Sequence, residues 1–137
     1  MKAVSGTHSA LYRASGGRVG GRIQGMPVVL LTTTGRRSGR SRTVPLLHVR
    51  DSDAVVVVAS NGGSDYFPAW WLNLRSNPSA EIDIGGDRTL VTARKASPDE
   101  RARLWPEFTS GYPGYAKYAT RTAREIPVVI LEPRQAR

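Results

Sequence analysis

The sequence predicts a mainly β protein with helices, an α+β chain of about six short strands and three or four short helices forming a small β-barrel. Three observations lead there. Apolar runs of four to seven residues recur between turns rich in Gly, Pro and Asp, too short for helices and fit for strands. Helix-start signals interrupt them at only a few places. The chain has 137 residues, the size of one domain with one core. The expected division is an N-terminal arm over 1–25, a barrel over 26–133 and a tail over 134–137.

The arm is polar and rich in glycine, with Ser9–Ser15 the one stretch suited to a short helix. From Met26 the pattern turns to β. Pro27–Thr33 is the first apolar run, Thr43–Val49 the second and Ala54–Ser60 the third. Four successive valines cannot alternate with polar residues, so the third strand is expected to be buried on both faces. Asp51–Asp53 marks the turn before it. Glu81–Ile84 alternates cleanly, Thr89–Arg94 follows, and Gly85-Gly86-Asp87 between them reads as a hairpin loop. Ile126–Leu131 is the last strand.

Pro68–Arg75 is the first barrel helix, opened by Pro and stopped by Asn77-Pro78. Ser97-Pro98-Asp99-Glu100 carries a capping-box pattern. The helix behind it places Leu104, Trp105 and Phe108 on one face, with Pro106 expected to bend it. Pro113–Thr120 suits one more short helix.

Composition removes several chemistries. Without cysteine there is no disulfide, thiolate metal site or cysteine nucleophile. His8 and His48 lack metal-ligand spacing, so no metal site is expected. Met1–Gly25 holds no apolar run of signal-peptide length, and no run approaches the ~20 residues that span a bilayer; the expected location is the cytoplasm. The charge is +9, from 20 Lys+Arg against 11 Asp+Glu, so the chain is expected to attract anions, though charge alone does not select among them.

The densest motif is Thr32-Thr33-Thr34-Gly35-Arg36-Arg37-Ser38-Gly39-Arg40-Ser41-Arg42. Its glycines allow a tight turn that presents N–H groups, its hydroxyls add donors, and its four arginines supply forked, charged contacts. The expected ligand carries phosphate or clustered carboxylates; a solvated hairpin tip is the plainer explanation. It is not a phosphate-binding P-loop: Gly16 and Gly21 have the spacing, but Arg22 replaces the required Lys. Ser60-Asn61-Gly62-Gly63 makes a polar turn at a strand end, suited to a ligand close to the backbone or to an ordinary turn. Trp70 and Trp71 point about 100° apart on a helix, so either one enters the core while the other lines a cleft, or packing accounts for both. Tyr112, Tyr115 and Tyr118 recur at a spacing of three, along one side of a helical turn, either as a packed stripe or around a planar substrate.

Five ordered segments, MPVVLLTTTGRRSGRSRTVPL, VVVASNGG, PAWWLNLRSNP, YPGYAKY and REIPVVILEP, together resemble the deazaflavin-dependent nitroreductase family, which uses coenzyme F420. The match runs from about Leu11 to Pro133. The resemblance implies a split β-barrel related to the FMN-binding barrels. It also implies an oxidoreductase that passes hydride from the reduced deazaflavin to a quinone, nitroaromatic or activated alkene. On matching positions Arg36, Arg37, Ser38 and Arg42 would hold the phosphate and oligoglutamate tail. Thr43, Val44, Pro45, Leu46 and Leu47, with Val58, Ala59, Ser60 and Asn61, would line the deazaflavin. Ala69, Trp70, Trp71, Leu72 and Asn73 would close over it, and Tyr115 would touch it. Tyr112, Tyr115 and Tyr118 would flank the substrate, with Tyr112, Tyr118 and Ser60 as the catalytic candidates.

The chain departs from the family pattern at Asn61, where a lysine is frequent, and at Leu47 and His48, where an aromatic residue is. The short arm argues against the membrane association that some members show. The expected partner is a small organic acceptor, not nucleic acid, and the expected assembly a monomer or homodimer. Two other readings stand beside this one. A nucleic-acid-binding module accounts for the charge and the arginine loop but not for the tyrosines. A barrel that binds FMN, or binds its cofactor without catalysis, has the same fold.

Overall fold

The computed structural model describes residues 22–23, 26–63, 66–122 and 125–134. The helix expected at Ser9–Ser15 lies outside them. Eight strands occur among the described residues: β1 (Arg22–Ile23), β2 (Met26–Thr34), β3 (Ser41–Leu47), β4 (Val49–Asp51), β5 (Ala54–Val58), β6 (Ser79–Ile84), β7 (Asp87–Lys95) and β8 (Val128–Pro133). Three helices accompany them, α1 (Ala69–Ser76), α2 (Pro98–Gly111) and α3 (Gly114–Arg121), with a 3-10 turn over Asn61–Gly63.

All pairings are antiparallel, and they follow one another as β2-β6-β7-β8-β5-β4, with β1 and β3 also on β2. The second apolar run, expected as one strand, is two. His48 alone separates β3, paired with β2, from β4, paired with β5. One stretch of chain therefore bridges the two ends of the series, and the sheet closes as a split β-barrel. The His48 N–H donates to the Pro27 carbonyl at 3.1 Å, and its side chain is buried. The ends are joined by chain continuity at His48 and not by a strand pairing: among the described residues β3 pairs only with β2, and β4 only with β5.

Strand parity divides the core. Val55, Val57 and Ala59 of the valine run face a barrel interior shared with Val29, Leu31, Ile82, Val91, Val129 and Leu131. Ala54, Val56 and Val58 face outward onto Leu104 and Phe108 of α2 and Tyr115 of α3, together with Val128 and Ile130. Burial on both faces is the arrangement the four valines require.

The hairpin between β6 and β7 turns at Gly85-Gly86, where the Gly86 N–H donates to the buried Asp83 Oδ1 at 2.9 Å. The capping box forms as the sequence dictates: the Glu100 N–H donates to Ser97 Oγ, and the Ser97 N–H to Glu100 Oε1. Helix α2 runs on through Pro106 to Gly111. Two ion pairs tie it to the barrel, Arg94–Glu100 at 2.7 Å and Arg103–Asp51 at 3.0 Å.

Candidate functional site

The arginine loop caps the β2–β3 hairpin, leaving Arg36, Arg37, Ser38, Arg40 and Arg42 exposed. Its backbone is more inward-looking than the glycine pattern suggests. The Gly35 N–H donates to the Arg40 carbonyl at 2.8 Å, Gly39 N–H to the Gly35 carbonyl at 2.9 Å, and Arg40 N–H to Ser38 Oγ at 3.1 Å. The Arg36 N–H donates to Asn73 Oδ1 at 3.1 Å. Four backbone donors expected to face a ligand are thus spent inside the protein. The charge of the loop is carried outward by its guanidinium groups, and the Ser38 hydroxyl, accepting from Arg40, keeps its own proton to donate.

Asn73 joins this loop to α1. Besides accepting from Arg36, it donates through Nδ2 to Thr33 Oγ1 at 3.1 Å, and both side chains are buried. Nothing in local sequence announces the bond, which spans 37 residues. Trp70 and Trp71 follow the packing alternative, not a split between core and cleft. Each is 7% exposed, and both pack with Leu74 into the barrel-interior cluster. The arc that α1 presents to the barrel is wide enough for adjacent positions. Ala69 is the exposed residue of this segment and Leu72 is half-buried.

Strand β3 connects loop and tyrosines. Thr43, Val44, Pro45, Leu46 and Leu47 are all half-buried, and among the described residues β3 pairs with β2 alone. The Thr43 and Thr32 hydroxyls meet at 2.7 Å across the pair. At the end of β5, Val58 and Ala59 are buried, Ser60 is half-buried and Asn61 is exposed, its Nδ2 donating to the Tyr66 carbonyl at 3.0 Å.

The three tyrosines converge, but not as a single helical stripe. Tyr112 is the C-cap of α2, and only Tyr115 and Tyr118 lie on α3. Pro113 breaks the run between them, and the Tyr112 ring folds back over Gly114, where a Cβ would come within 2.6 Å of Cε2. The Tyr112 and Tyr118 hydroxyl oxygens thereby come within 3.1 Å. Tyr115 is the buried hub, edge-on to Phe108, Tyr112 and Tyr118 at centroid distances of 5.7, 5.1 and 5.9 Å. Burial pushes its phenol pKa well above the ordinary range. The Tyr118 pKa is also raised, first by its hydrogen bond to Tyr112 and then by burial, against the lowering pull of Arg121. Both phenols hold their protons at neutral pH.

The cluster sits at the start of β2, since Gly111 packs so closely on Met26 that a Cβ would lie 2.8 Å from Sδ. The arginine loop leaves from its far end. The eight steps between its nine residues, at about 3.3 Å each, put roughly 26 Å between the two ends. Among the described residues no group of His, Cys, Asp and Glu is arranged to hold a metal, and no helix is long and apolar enough to cross a membrane.

A family model described as F420H(2)-dependent quinone reductase matches residues 4–133. An F420H(2)-dependent quinone reductase of Mycobacterium tuberculosis is 44% identical over 128 residues, covering 90% of this chain and 86% of its own. A solved F420-H2 dependent reductase, FDR-A, aligns at TM-score 0.71 and 41% identity over 77% of this chain and 94% of its own. A structure described as a domain-swapped dimer aligns at TM-score 0.72 and 34% identity, covering 93% of this chain and 95% of its own.

Proposed function

This chain belongs to the F420H(2)-dependent quinone reductase family, as an oxidoreductase whose cofactor is coenzyme F420, and from that premise we propose that it reduces a quinone-type acceptor held among Tyr112, Tyr115 and Tyr118. The carrying observation is the placement of opposite chemistries at the two ends of β2, an exposed arginine loop at one and a phenol cluster at the other. A ligand anionic at one end and planar at the other matches that length and polarity. A deazaflavin with a phosphate and an oligoglutamate tail is such a ligand.

When bound, reduced coenzyme F420 supplies a two-electron hydride donor. Arg36, Arg37 and Arg42 would neutralise its phosphate and tail, and the Ser38 hydroxyl would donate to them. Thr43, Val44, Pro45, Leu46 and Leu47, with Val58, Ala59, Ser60 and Asn61, would hold its ring, the buried Val58 and Ala59 through their backbone. Ala69 and Leu72 would contact it, with Trp70 and Trp71 supporting them from the core, while Asn73 holds the loop in place.

Reducing a quinone to a hydroquinone takes a hydride and a proton. The Tyr118 hydroxyl, protonated and in contact with that of Tyr112, would deliver the proton to the acceptor oxygen, and Tyr115 packs edge-on against both rings and holds them. Ser60 lies at the exit of β5 as a further hydroxyl.

The test is anaerobic oxidation of F420H2 by menadione, with the cofactor carrying protium or deuterium at its hydride position. A primary isotope effect and a rate proportional to enzyme support the proposal. No enzyme-dependent oxidation of F420H2 by any quinone refutes it. The relative described as a domain-swapped dimer supports a homodimer over a monomer, which sedimentation equilibrium decides.

A further inference from the structure

We infer that Gly63 is a positioning residue for the acceptor side of the site, because it lets the turn leaving β5 abut the backbone of the tyrosine helix α3. The inference rests on the proposal that the tyrosines face the acceptor.

Gly63 has φ +81, and a Cβ there would lie 2.8 Å from the Tyr118 carbonyl oxygen, 2.9 Å from Tyr118 Cα and 3.1 Å from Arg121 Cβ. The first two are backbone atoms of a helix and cannot swing aside as the end of a side chain would. Any side chain at 63 forces the turn or α3 to move. The turn is short and internally bonded, with the Gly63 N–H donating to the Ser60 carbonyl at 3.0 Å, so little slack lies between Ser60 and the contact.

On its other side α3 is seated through Tyr115, buried against Phe108 of α2. The Arg121 guanidinium lies over the Tyr118 ring at 5.6 Å. Helix α3 is thus held between α2 and the 61–63 turn, and the position of the Tyr118 hydroxyl depends on both supports. Within the glycine motif at this strand end, Gly63 is the position that α3 abuts.

Gly86 gives a matched control. Its φ is +91, and a Cβ there meets nothing within 4 Å. Alanine at either position suffers comparable backbone strain, but only at 63 does it collide with α3. The experiment compares Gly63→Ala and Gly86→Ala in the full chain. The readouts are F420 affinity, steady-state constants with menadione, and the pH titration of the tyrosine resonances.

Gly63→Ala is expected to keep F420 affinity near that of Gly86→Ala while kcat/KM for menadione falls by about tenfold or more. Its Tyr118 titrates closer to the ordinary value, because the bond to Tyr112 is broken. Identical acceptor constants and tyrosine titrations in the two variants overturn the inference. If Tyr112→Phe and Tyr118→Phe leave turnover untouched, the acceptor reading fails by itself, and the tyrosine titration of Gly63→Ala still decides whether the glycine positions α3. Should Gly63→Ala not fold, hydrogen exchange on the wild-type protein replaces it. The amides of Lys117–Arg121 and Gly63 then open together if the contact holds α3, and independently if it does not.

Discussion

The hydroxyl oxygens of Tyr112 and Tyr118 lie 3.1 Å apart, although one belongs to the end of α2 and the other to α3. The bond raises the Tyr118 pKa, as does burial. Turnover that depends on a phenol proton is therefore expected to stay level through neutral pH and to fall only beyond the ordinary tyrosine value of about 10. Tyr112→Phe removes the main raising influence and brings the alkaline limb to lower pH. Because each hydroxyl backs up the other, either single Phe variant is expected to lose only about threefold in kcat, and the double variant about a hundredfold, more than the product of the singles. A pH–rate profile of the three variants checks both statements.

Asn73 is expected to control the arginine loop without carrying charge. Asn73→Leu leaves the buried Thr33 hydroxyl and the Arg36 N–H without their partner, each at a cost of about 1–3 kcal/mol. Asn73→Asp keeps the acceptor for the Arg36 N–H but loses the donor to Thr33 Oγ1 and buries a carboxylate, so it restores only part of the loss. Urea unfolding of the two variants measures the difference.

The stability of the α2 attachment is expected to fall in acid. Hydrogen bonds from Arg94, then from the Ser97 backbone, lower the Glu100 pKa from 4.5 to about 2. A carboxylate lowered by folding contributes above its unfolded value and loses that contribution as pH falls through its folded value. The loss here spans pH 4.5 down to about 2. Glu100→Gln flattens the denaturation profile across that window. Ser97→Ala removes the other half of the capping box and costs about 1 kcal/mol at neutral pH.

Sequence reading succeeded where the cause is local. The four valines of β5 are buried on both faces, Ser97 and Glu100 form the capping box, and the arginines crowd one exposed hairpin tip, because each depends on residues a few positions apart. It missed what contacts between distant segments decide. His48 divides one apolar run because its two halves must pair with different strands, β2 and β5. Four N–H groups of the arginine loop turn inward, one of them onto Asn73 in α1. Pro113 takes Tyr112 off the helix that regular spacing implies, yet folds it back to the same cluster. Gly63 reads as a turn glycine until α3 is placed against it.

The arginine loop is the most direct test of the cofactor site. F420 is titrated into wild-type protein and into the Arg37→Ala, Arg42→Ala double variant at low and moderate salt, followed by fluorescence, with FMN and duplex DNA as controls. The wild type is expected to prefer F420 to both controls. The variant is expected to bind it at least about tenfold more weakly, with a shallower salt dependence because two charge-assisted contacts are gone. Equal affinity of the two proteins for F420 would contradict the placement of its anionic end in the loop, and preference for FMN or DNA would contradict the site as a whole.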